Sequence, residues 1–259
     1  MIKITSSQNP KIKLAQKLFK SRERKKEDLM LIEGVAEITM AIESGVVIDT
    51  LFYCPAFGRQ QILNQVKEDN VLELNRDLFT KISFRDNPDG FIALAKTKRL
   101  RLDEIKLSKN PLVIVLEKVE KPGNLGAILR SADAASADAV ILADPRTDIF
   151  QPNVIRASLG TIFSVPVATA TNDDVLAWLK KNTIKSFAAI IGAKSIYTKV
   201  EYTKPSAIIV GTEHEGLSQF WQKNTDEEVS IPMAGKIDSL NASVSTAVIL
   251  FEAVRQRNR

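Results

Sequence analysis

The chain has 259 residues, a formal net charge of +5 and 44% hydrophobic residues, which suits one large globular domain or two ordinary ones. Its single cysteine, Cys54, excludes an internal disulfide framework and a cysteine-rich zinc site. The first residues contain no apolar signal segment, and no apolar run is long enough to span a bilayer. We therefore expect a cytoplasmic protein.

The basic charge is concentrated at the start of the chain. Residues 1–30 contain nine Lys or Arg and three acidic residues, so the rest of the chain is close to neutral. A basic segment on a near-neutral body predicts a polyanionic partner, and RNA is the candidate. The alternative is a solvated helix whose lysines only aid solubility.

The first 96 residues combine short helical and strand patterns. Ser6, Ser7, Asn9 and Pro10 mark a helix start that precedes a partial apolar stripe. Beyond it, strands are predicted over residues 28–32, 47–53, 71–74 and 90–95, and helices over residues 35–43, 60–68 and 77–82. This arrangement is typical of a small α/β domain.

A charged stretch poor in aromatic residues, 97–110, follows this first unit. We interpret it as a linker between an N-terminal domain, 1–96, and a C-terminal domain, 111–259. The alternative is a helix that packs on one of the two domains.

From residue 111 onward, strand and helix patterns alternate. Strands are predicted over residues 112–116, 139–142, 162–165, 187–191, 207–210 and 228–231. Helices are predicted over residues 125–135, 153–159, 173–180, 217–222 and 240–255. The alternation favours an α/β fold whose parallel sheet carries helices on both faces.

Three segments of this second half place Gly or Pro beside polar residues where strands end or helices begin. They read NLGAILR (124–130), GTEHEG (211–216) and IPMAGKIDSLNAS (231–243). Such loops expose backbone N–H and C=O groups that hold a small ligand, so together they predict one composite site. The glycine patterns of dinucleotide-binding and phosphate-binding loops are absent.

Each segment also has a plain structural interpretation. Asn124 is then a helix N-cap, Arg130 only extends into solvent, and 211–216 is an ordinary turn. His214 is the only histidine, and we do not expect it to be an essential base. One histidine and one cysteine argue against a metal centre. In the final helix an apolar stripe predicts core packing: Leu240, Val244, Ala247, Val248, Phe251 and Val254.

In order and wording, the three segments resemble the motifs of the SpoU/TrmH family of RNA 2′-O-ribose methyltransferases, in the SPOUT superfamily. Residues 153–160 (NVIRASLG) resemble the family's segment between its first two motifs. In the first half, 32–34 (IEG) and 88–91 (PDGF) resemble marks of its substrate-binding domain, which has the fold of ribosomal protein L30e. The chain departs from the pattern at Ser136, His214 and Ala242.

The resemblance implies S-adenosylmethionine as methyl donor, no metal, and a ribose 2′-hydroxyl of RNA as acceptor. Ribosomal RNA is favoured as the substrate, with transfer RNA as the alternative. It also implies a deep trefoil knot in the C-terminal domain and a homodimer whose interface includes part of the final helix.

The resemblance also assigns roles to individual residues. The resemblance places Arg130 at the site and makes it necessary for methylation. Family members have been considered to use this arginine as the base, but a guanidinium is a poor proton acceptor, so we expect Arg130 to stabilise charge on the ribose oxygen and bind the adjacent phosphate. Four residues hold Arg130 and the ribose: Asn124, Glu213, Ser239 and Asn241. Four others form the cofactor site: Gly211, Ile231, Met233 and Leu240.

Two other functional classes remain open. One is an RNA-binding or ribosome-assembly protein of the same fold without turnover, although a degenerate site would be expected to lose Arg130. The other is an α/β enzyme that uses a different nucleotide, which predicts a phosphate-binding glycine loop.

Overall fold

The computed structural model describes residues 1–58 and 62–258, and they form an α/β protein. The chain divides into two compact units. Met1–Lys98 and Asp148–Ser164 form the first, and Arg99–Thr147 and Val165–Arg259 form the second. Each unit has its own sheet and its own hydrophobic core.

The described residues contain twelve strands and ten α-helices. The strands are β1 (Ile2–Ile4), β2 (Leu29–Glu33), β3 (Ile48–Tyr53), β4 (Val71–Leu74), β5 (Phe91–Lys96), β6 (Leu112–Glu117), β7 (Ala139–Ala143), β8 (Val167–Ala170), β9 (Lys185–Ala189), β10 (Ser195–Ile196), β11 (Ser206–Val210) and β12 (Glu227–Ser230). The helices are α1 (Pro10–Lys17), α2 (Ser21–Glu27), α3 (Val35–Glu43), α4 (Arg76–Thr80), α5 (Pro122–Ala134), α6 (Pro152–Ala157), α7 (Thr161–Ser164), α8 (Asn172–Lys181), α9 (Gln219–Asn224) and α10 (Ala242–Arg257).

The first unit is built on a mixed sheet in the order β1-β4-β3-β5-β2. Strand β4 is parallel to β1 and β3, whereas β5 is antiparallel to β3 and β2. The side chain of Asn9 accepts from the backbone N–H of Lys11 at 2.9 Å, so the predicted start of α1 is confirmed. Ile12 and Leu18 from this region are buried in the core beside β3 and β5.

Residues 148–164 belong to the first unit although they lie in the second half of the sequence. Helix α6 packs on β2 and α7 packs on α3. At Gly160 the backbone has φ of +85°, and a Cβ atom there would lie 2.9 Å from Cβ of Met40. Only glycine combines that backbone conformation with so close a neighbour.

A buried ion pair also ties this segment to α2. The Arg24 guanidinium donates to Oδ2 of Asp148 through Nε at 3.0 Å and Nη2 at 2.7 Å, and the two side chains are 3% and 10% exposed. Burial opposes ionisation of Asp148. Hydrogen bonds from Ser21 and Arg24 and the Arg24 charge outweigh that effect and hold the pKa of Asp148 below its ordinary value.

The IEG and PDGF sequences of the first half hold a loop against β2. Burial raises the pKa of Glu33, whose carboxylate accepts from Oγ of Ser83 at 2.6 Å and N–H of Phe84 at 2.8 Å. Asp89 accepts from the backbone N–H of Val35 at 2.7 Å, where α3 begins. Both acidic residues therefore organise backbone within this unit.

The second unit is built on a sheet whose seven described strands are all parallel, in the order β10-β12-β9-β11-β6-β7-β8. The predicted parallel α/β fold is confirmed. The carboxyl ends of β6, β11 and β12 lead into the three segments that carry the predicted site. The trefoil knot stays a prediction.

The placement of a linker at 97–110 also stays a prediction. The two compact units divide between Lys98 and Arg99. Leu100 forms an isolated bridge with Ala168, and Leu102 and Leu107 pack against the core of the second unit. None of the described helices meets the length and hydropathy needed to cross a membrane.

Two predicted elements are wrong. Residues 162–165 were expected to form a strand, but α7 occupies Thr161–Ser164 and the strand follows as β8. A short run such as IFSV, three apolar residues and one serine, does not distinguish a strand from a buried helical turn. For the helix predicted at 60–68, residues 60 and 61 lie outside the described part. The remainder forms short 3-10 turns at Leu63–Gln65 and Glu68–Asn70.

The final helix is confirmed, but its orientation differs from the expected one. Val244 and Phe251, from the stripe assigned to core packing, are each 46% exposed. The buried side is formed by Ile249, Leu250 and Ala253 instead. The core-packing interpretation of that stripe is therefore wrong for its two largest exposed members.

Candidate active site

The three predicted segments meet at one end of the second unit's sheet. Helix α5 begins at Pro122, and Lys121 takes its N-cap position. Asn124 therefore lies in the first turn, so the interpretation of Asn124 as an N-cap is wrong. The cap of α10 is Asn241, whose side chain accepts from the N–H of Ser243 at 2.9 Å.

Glu213 joins the three segments through its carboxylate. Its Oε1 accepts from the Asn124 side-chain amide at 2.9 Å and from the Asn241 side-chain amide. Its Oε2 accepts from the Lys121 ammonium. Asn241 also donates to Oδ1 of Asn124 at 3.1 Å. The carboxylate therefore fixes one polar side chain from each of the other two segments, together with Lys121.

Lys121 is the member of this cluster that sequence reasoning missed. A cation at a helix N-terminus is opposed by the helix dipole, so its presence there was a signal that something else favours it. The Glu213 carboxylate is that partner.

The loop at 211–216 is held tightly closed. Thr212 and Gly216 exchange two backbone hydrogen bonds of 3.1 Å each, and Oγ1 of Thr212 accepts from N–H of Glu215 at 3.0 Å. A Cβ atom on Gly211 would overlap the carbonyl group of Gly216. This close approach of backbone to backbone requires glycine at 211.

A cavity of about 300 Å³ lies beside this loop. All four residues predicted to bind the cofactor line it: Gly211, Ile231, Met233 and Leu240. Apolar walls come also from Ile190, Val210 and Ile249, whereas Asp238 and Ser239 supply polar groups. Its size is at the lower end for small-molecule sites, and its mixture of apolar walls and exposed backbone fits an adenosine-containing ligand.

A smaller cavity of about 100 Å³ shares the wall formed by residues 210–215. It is lined by the Lys121, Asn124 and Glu213 cluster and by Glu117 and Arg146. The loop that carries Glu213 thus contributes to both cavities.

The other two predicted site residues lie apart from the Glu213 cluster. Arg130 is exposed on α5, six residues and about 9 Å along the helix axis from Asn124. No hydrogen bond within the described chain joins it to Glu213. Ser239 lines the larger cavity and donates to Asp238 at 3.1 Å. His214 is exposed, and the described residues contain no group of three or more potential metal ligands.

Comparison with known proteins covers both units. Residues 111–251 match the SpoU rRNA Methylase family, and residues 9–93 match the MRM3-like substrate binding domain. A relative from Streptomyces viridochromogenes, named 23S rRNA (uridine(2479)-2′-O)-methyltransferase, is 30% identical over 97% of this chain and 92% of its own.

Solved structures agree over the whole chain. One described as an RNA 2′-O ribose methyltransferase is 39% identical, with a TM-score of 0.88 and full coverage of both chains. An AdoMet-bound rRNA methyltransferase from Sinorhizobium meliloti is 31% identical, with a TM-score of 0.89 over 98% of this chain and 97% of its own.

Fold, site and comparisons together define the class of the protein as an S-adenosylmethionine-dependent RNA ribose 2′-O-methyltransferase. The structural features that agree with this class are the parallel sheet and the cavity at the carboxyl ends of its strands. The chain belongs to the SpoU rRNA Methylase family.

Proposed function

We propose that this protein transfers a methyl group from S-adenosylmethionine to a ribose 2′-hydroxyl of 23S ribosomal RNA. The observation that carries the proposal is the Glu213 cluster, in which all three segments meet beside a glycine-walled cavity. The 23S rRNA named for the Streptomyces relative supports the choice of substrate.

The chemical difficulty lies in the acceptor. S-adenosylmethionine supplies a methyl group that is already activated for transfer. A ribose hydroxyl is a very weak acid, so negative charge develops on its oxygen as the proton leaves. The protein must align that oxygen and stabilise its charge.

We assign this task to two cations. Lys121 lies at the smaller cavity, and the exposed guanidinium of Arg130 is open to contact with RNA. A guanidinium is a poor proton acceptor in proteins, so we assign Arg130 the binding of phosphate and ribose oxygens rather than proton removal.

We assign Glu213 a holding role. Three donors already occupy its carboxylate, and one of them is the Lys121 cation. It therefore fixes the side chains of Asn124 and Asn241, and the second amide hydrogen of Asn124 remains for the ribose. Ser239, with Gly211, Ile231, Met233 and Leu240, belongs to the cofactor side in this proposal.

The basic N-terminal segment supplies an RNA-binding surface smaller than its composition indicates. Four of its nine cations are paired with acidic residues: Lys3, Lys11, Arg24 and Lys26. Lys13 and Lys17 are exposed one turn apart on α1, and the exposed Lys20 lies at the N-cap position of α2. We call these three residues the lysine face and assign RNA phosphate binding to it.

We also propose a homodimer. Val244 and Phe251 leave apolar surface exposed on α10, while the opposite side of that helix packs on the core. A second copy that covers this strip would remove it from water. Sedimentation at micromolar concentration should give a dimer, and Val244→Glu should shift it towards monomer. A folded monomer with full methylation activity would contradict this assignment.

Methylation mapping tests the substrate. Comparison of 2′-O-methyl sites in total RNA from cells with and without the gene should show one 23S rRNA position lost in its absence. Isothermal titration should show binding of S-adenosylmethionine, with NAD and ATP far weaker. Loss of a transfer RNA site instead would overturn the proposed substrate, and unchanged RNA with no cofactor binding would overturn the activity.

A further inference from the structure

A buried carboxylate that the proposed chemistry does not use lies at the end of β6. Glu117 is 1% exposed, and the nearest cation, the Nζ atom of Lys118, is 4.0 Å from its Oε1. Burying a charge is costly even beside a cation at 4.0 Å, and a neutral side chain would avoid that cost. The carboxylate must therefore provide something that a neutral residue at this position would not.

What it provides is two acceptors for two different segments. Its Oε2 accepts from the backbone N–H of Ser218 at 2.7 Å, and its Oε1 accepts from the side-chain amide of Asn172 at 3.0 Å. Oδ1 of Asn172 in turn accepts from the indole N–H of Trp221 at 2.7 Å. Ser218 and Trp221 are three residues apart in sequence, so these bonds close a ring. We call Glu117, Asn172, Ser218 and Trp221 the polar ring.

The polar ring holds the loop that separates the two cavities. Ser218 comes two residues after Gly216, where the closed loop 211–216 ends. Leu217 between them is buried in the core of the unit. The loop carries Glu213 at its tip and contributes Gly211 to the larger cavity. The hydrogen bond from the N–H of Ser218 to Glu117 therefore fixes the position of the backbone that follows the loop.

We infer that Glu117 is a positioning residue of the methyl-transfer site, which holds loop 211–216 in its cofactor-binding position through the backbone of Ser218 and through Asn172. The inference rests on the proposed function, because it takes this loop to serve cofactor binding and methyl transfer.

Glu117→Gln is the size-matched test. The glutamine side chain has one carbonyl oxygen, whereas two groups donate to Glu117: the N–H of Ser218 and the amide of Asn172. One of the two therefore faces the glutamine N–H₂ group and loses its acceptor. A buried donor without an acceptor is expected to shift the loop, and the dissociation constant for S-adenosylmethionine should rise about tenfold or more.

A matched control distinguishes positioning from stability. Asp138 accepts from the backbone N–H groups of Ser108 at 2.6 Å and Leu112 at 2.8 Å, at the opposite end of the same strand. Asp138→Asn should lower thermal stability while leaving the cofactor dissociation constant within about twofold of wild type, because those bonds lie away from the loop. Both variants are titrated well below their unfolding temperatures.

Trp221 gives a spectroscopic readout of the ring. The chain has two tryptophans, so in a Trp178→Phe background all tryptophan emission comes from Trp221. Asn172→Ala removes the acceptor of the indole N–H. It should change that emission and raise the cofactor dissociation constant, since the ring is then broken at Asn172 while the bond from Ser218 to Glu117 remains. If Glu117→Gln does not fold, Asn172→Ala carries the test.

The inference is supported if Glu117→Gln weakens cofactor binding and Asp138→Asn does not. Wild-type affinity in Glu117→Gln, or an equal loss in Asp138→Asn, would overturn it. If Asn172→Ala carries the test, wild-type affinity in that variant has the same meaning. A wild-type protein that binds no S-adenosylmethionine would overturn the proposed function itself, which separates the two failures.

Discussion

Replacing Arg24 should destabilise the protein without changing its affinity for RNA. The sequence counts Arg24 among the basic residues of the N-terminal segment, but its guanidinium is buried on Asp148 and on the carbonyl oxygens of Leu18 and Phe19, at 2.7 and 3.0 Å. Arg24→Met keeps the unbranched stem and removes the donors. It leaves the Asp148 carboxylate buried without its counter-ion.

The expected loss follows from that burial. Breaking a buried ion pair by removing one partner costs about 3–5 kcal/mol of unfolding free energy, whereas exposed pairs contribute about 1 kcal/mol or less. Lys26 offers a matched control in the same helix, because it pairs with Glu27 at 3.2 Å on the surface. Lys26→Met should therefore cost less than about 1 kcal/mol.

Urea unfolding followed by circular dichroism measures both losses, and RNA binding is titrated over a range of salt concentrations. Arg24→Met should lower the free energy of unfolding by the larger amount and leave the slope of log affinity against log salt unchanged. A loss below about 1 kcal/mol, or a flatter salt slope, would refute the assignment of Arg24 to a buried structural pair.

The other predictions concern the site, the RNA surface and acid stability. Arg130→Ala should leave cofactor affinity near wild type and lower the single-turnover methylation rate by about two orders of magnitude or more. Arg130→Lys should recover little of that rate, and a near-normal rate in Arg130→Ala would remove Arg130 from the mechanism. Gly211→Ala should abolish cofactor binding in calorimetry, since its Cβ overlaps backbone, and normal affinity would contradict that geometry. Changing the lysine face to glutamine should reduce the log–log salt slope of RNA binding by about 0.7–0.9 per lost phosphate contact, and an unchanged slope would assign those lysines to solubility. The folded-state pKa of Asp148 lies below its ordinary value of 3.8. The stability advantage of wild type over Asp148→Asn should therefore be full above about pH 4 and shrink as the pH falls further. Acid unfolding measures this advantage, and an advantage that grows below about pH 4 would disprove the expectation.

The sequence predicted the elements with strong periodicity and the segments that form the site. Helix α3 and strand β4 occur at the predicted residues, 35–43 and 71–74. The four residues expected at the cofactor all line one cavity, because the ends of parallel strands meet at one edge of a sheet. The assignment of catalytic roles to Arg130, Asn124, Glu213, Ser239 and Asn241 stays a prediction.

The sequence alone does not show which side of an apolar helix is buried or which distant residues form pairs. Helix α10 carries apolar residues on more than one side, and periodicity alone does not say which side faces the core. The apolar stripe therefore predicts that Phe251 is buried, whereas Ile249 is the buried residue. Lys121 and Glu117 belong to no motif, and their importance comes from partners about 90 and 100 residues away. Such pairings exist only once the chain has folded.

The membership of residues 148–164 in the first unit limits how the chain can be recombined. The sequence suggests a cut at the junction near residue 98. Such a cut would separate the first 98 residues from three parts of their own unit: α6, α7 and Asp148, the counter-ion of the buried Arg24. A chimera that exchanges only residues 1–98 between relatives would thus combine contacting surfaces from two different proteins. Substrate specificity in such hybrids is expected to move intact only when both stretches are exchanged.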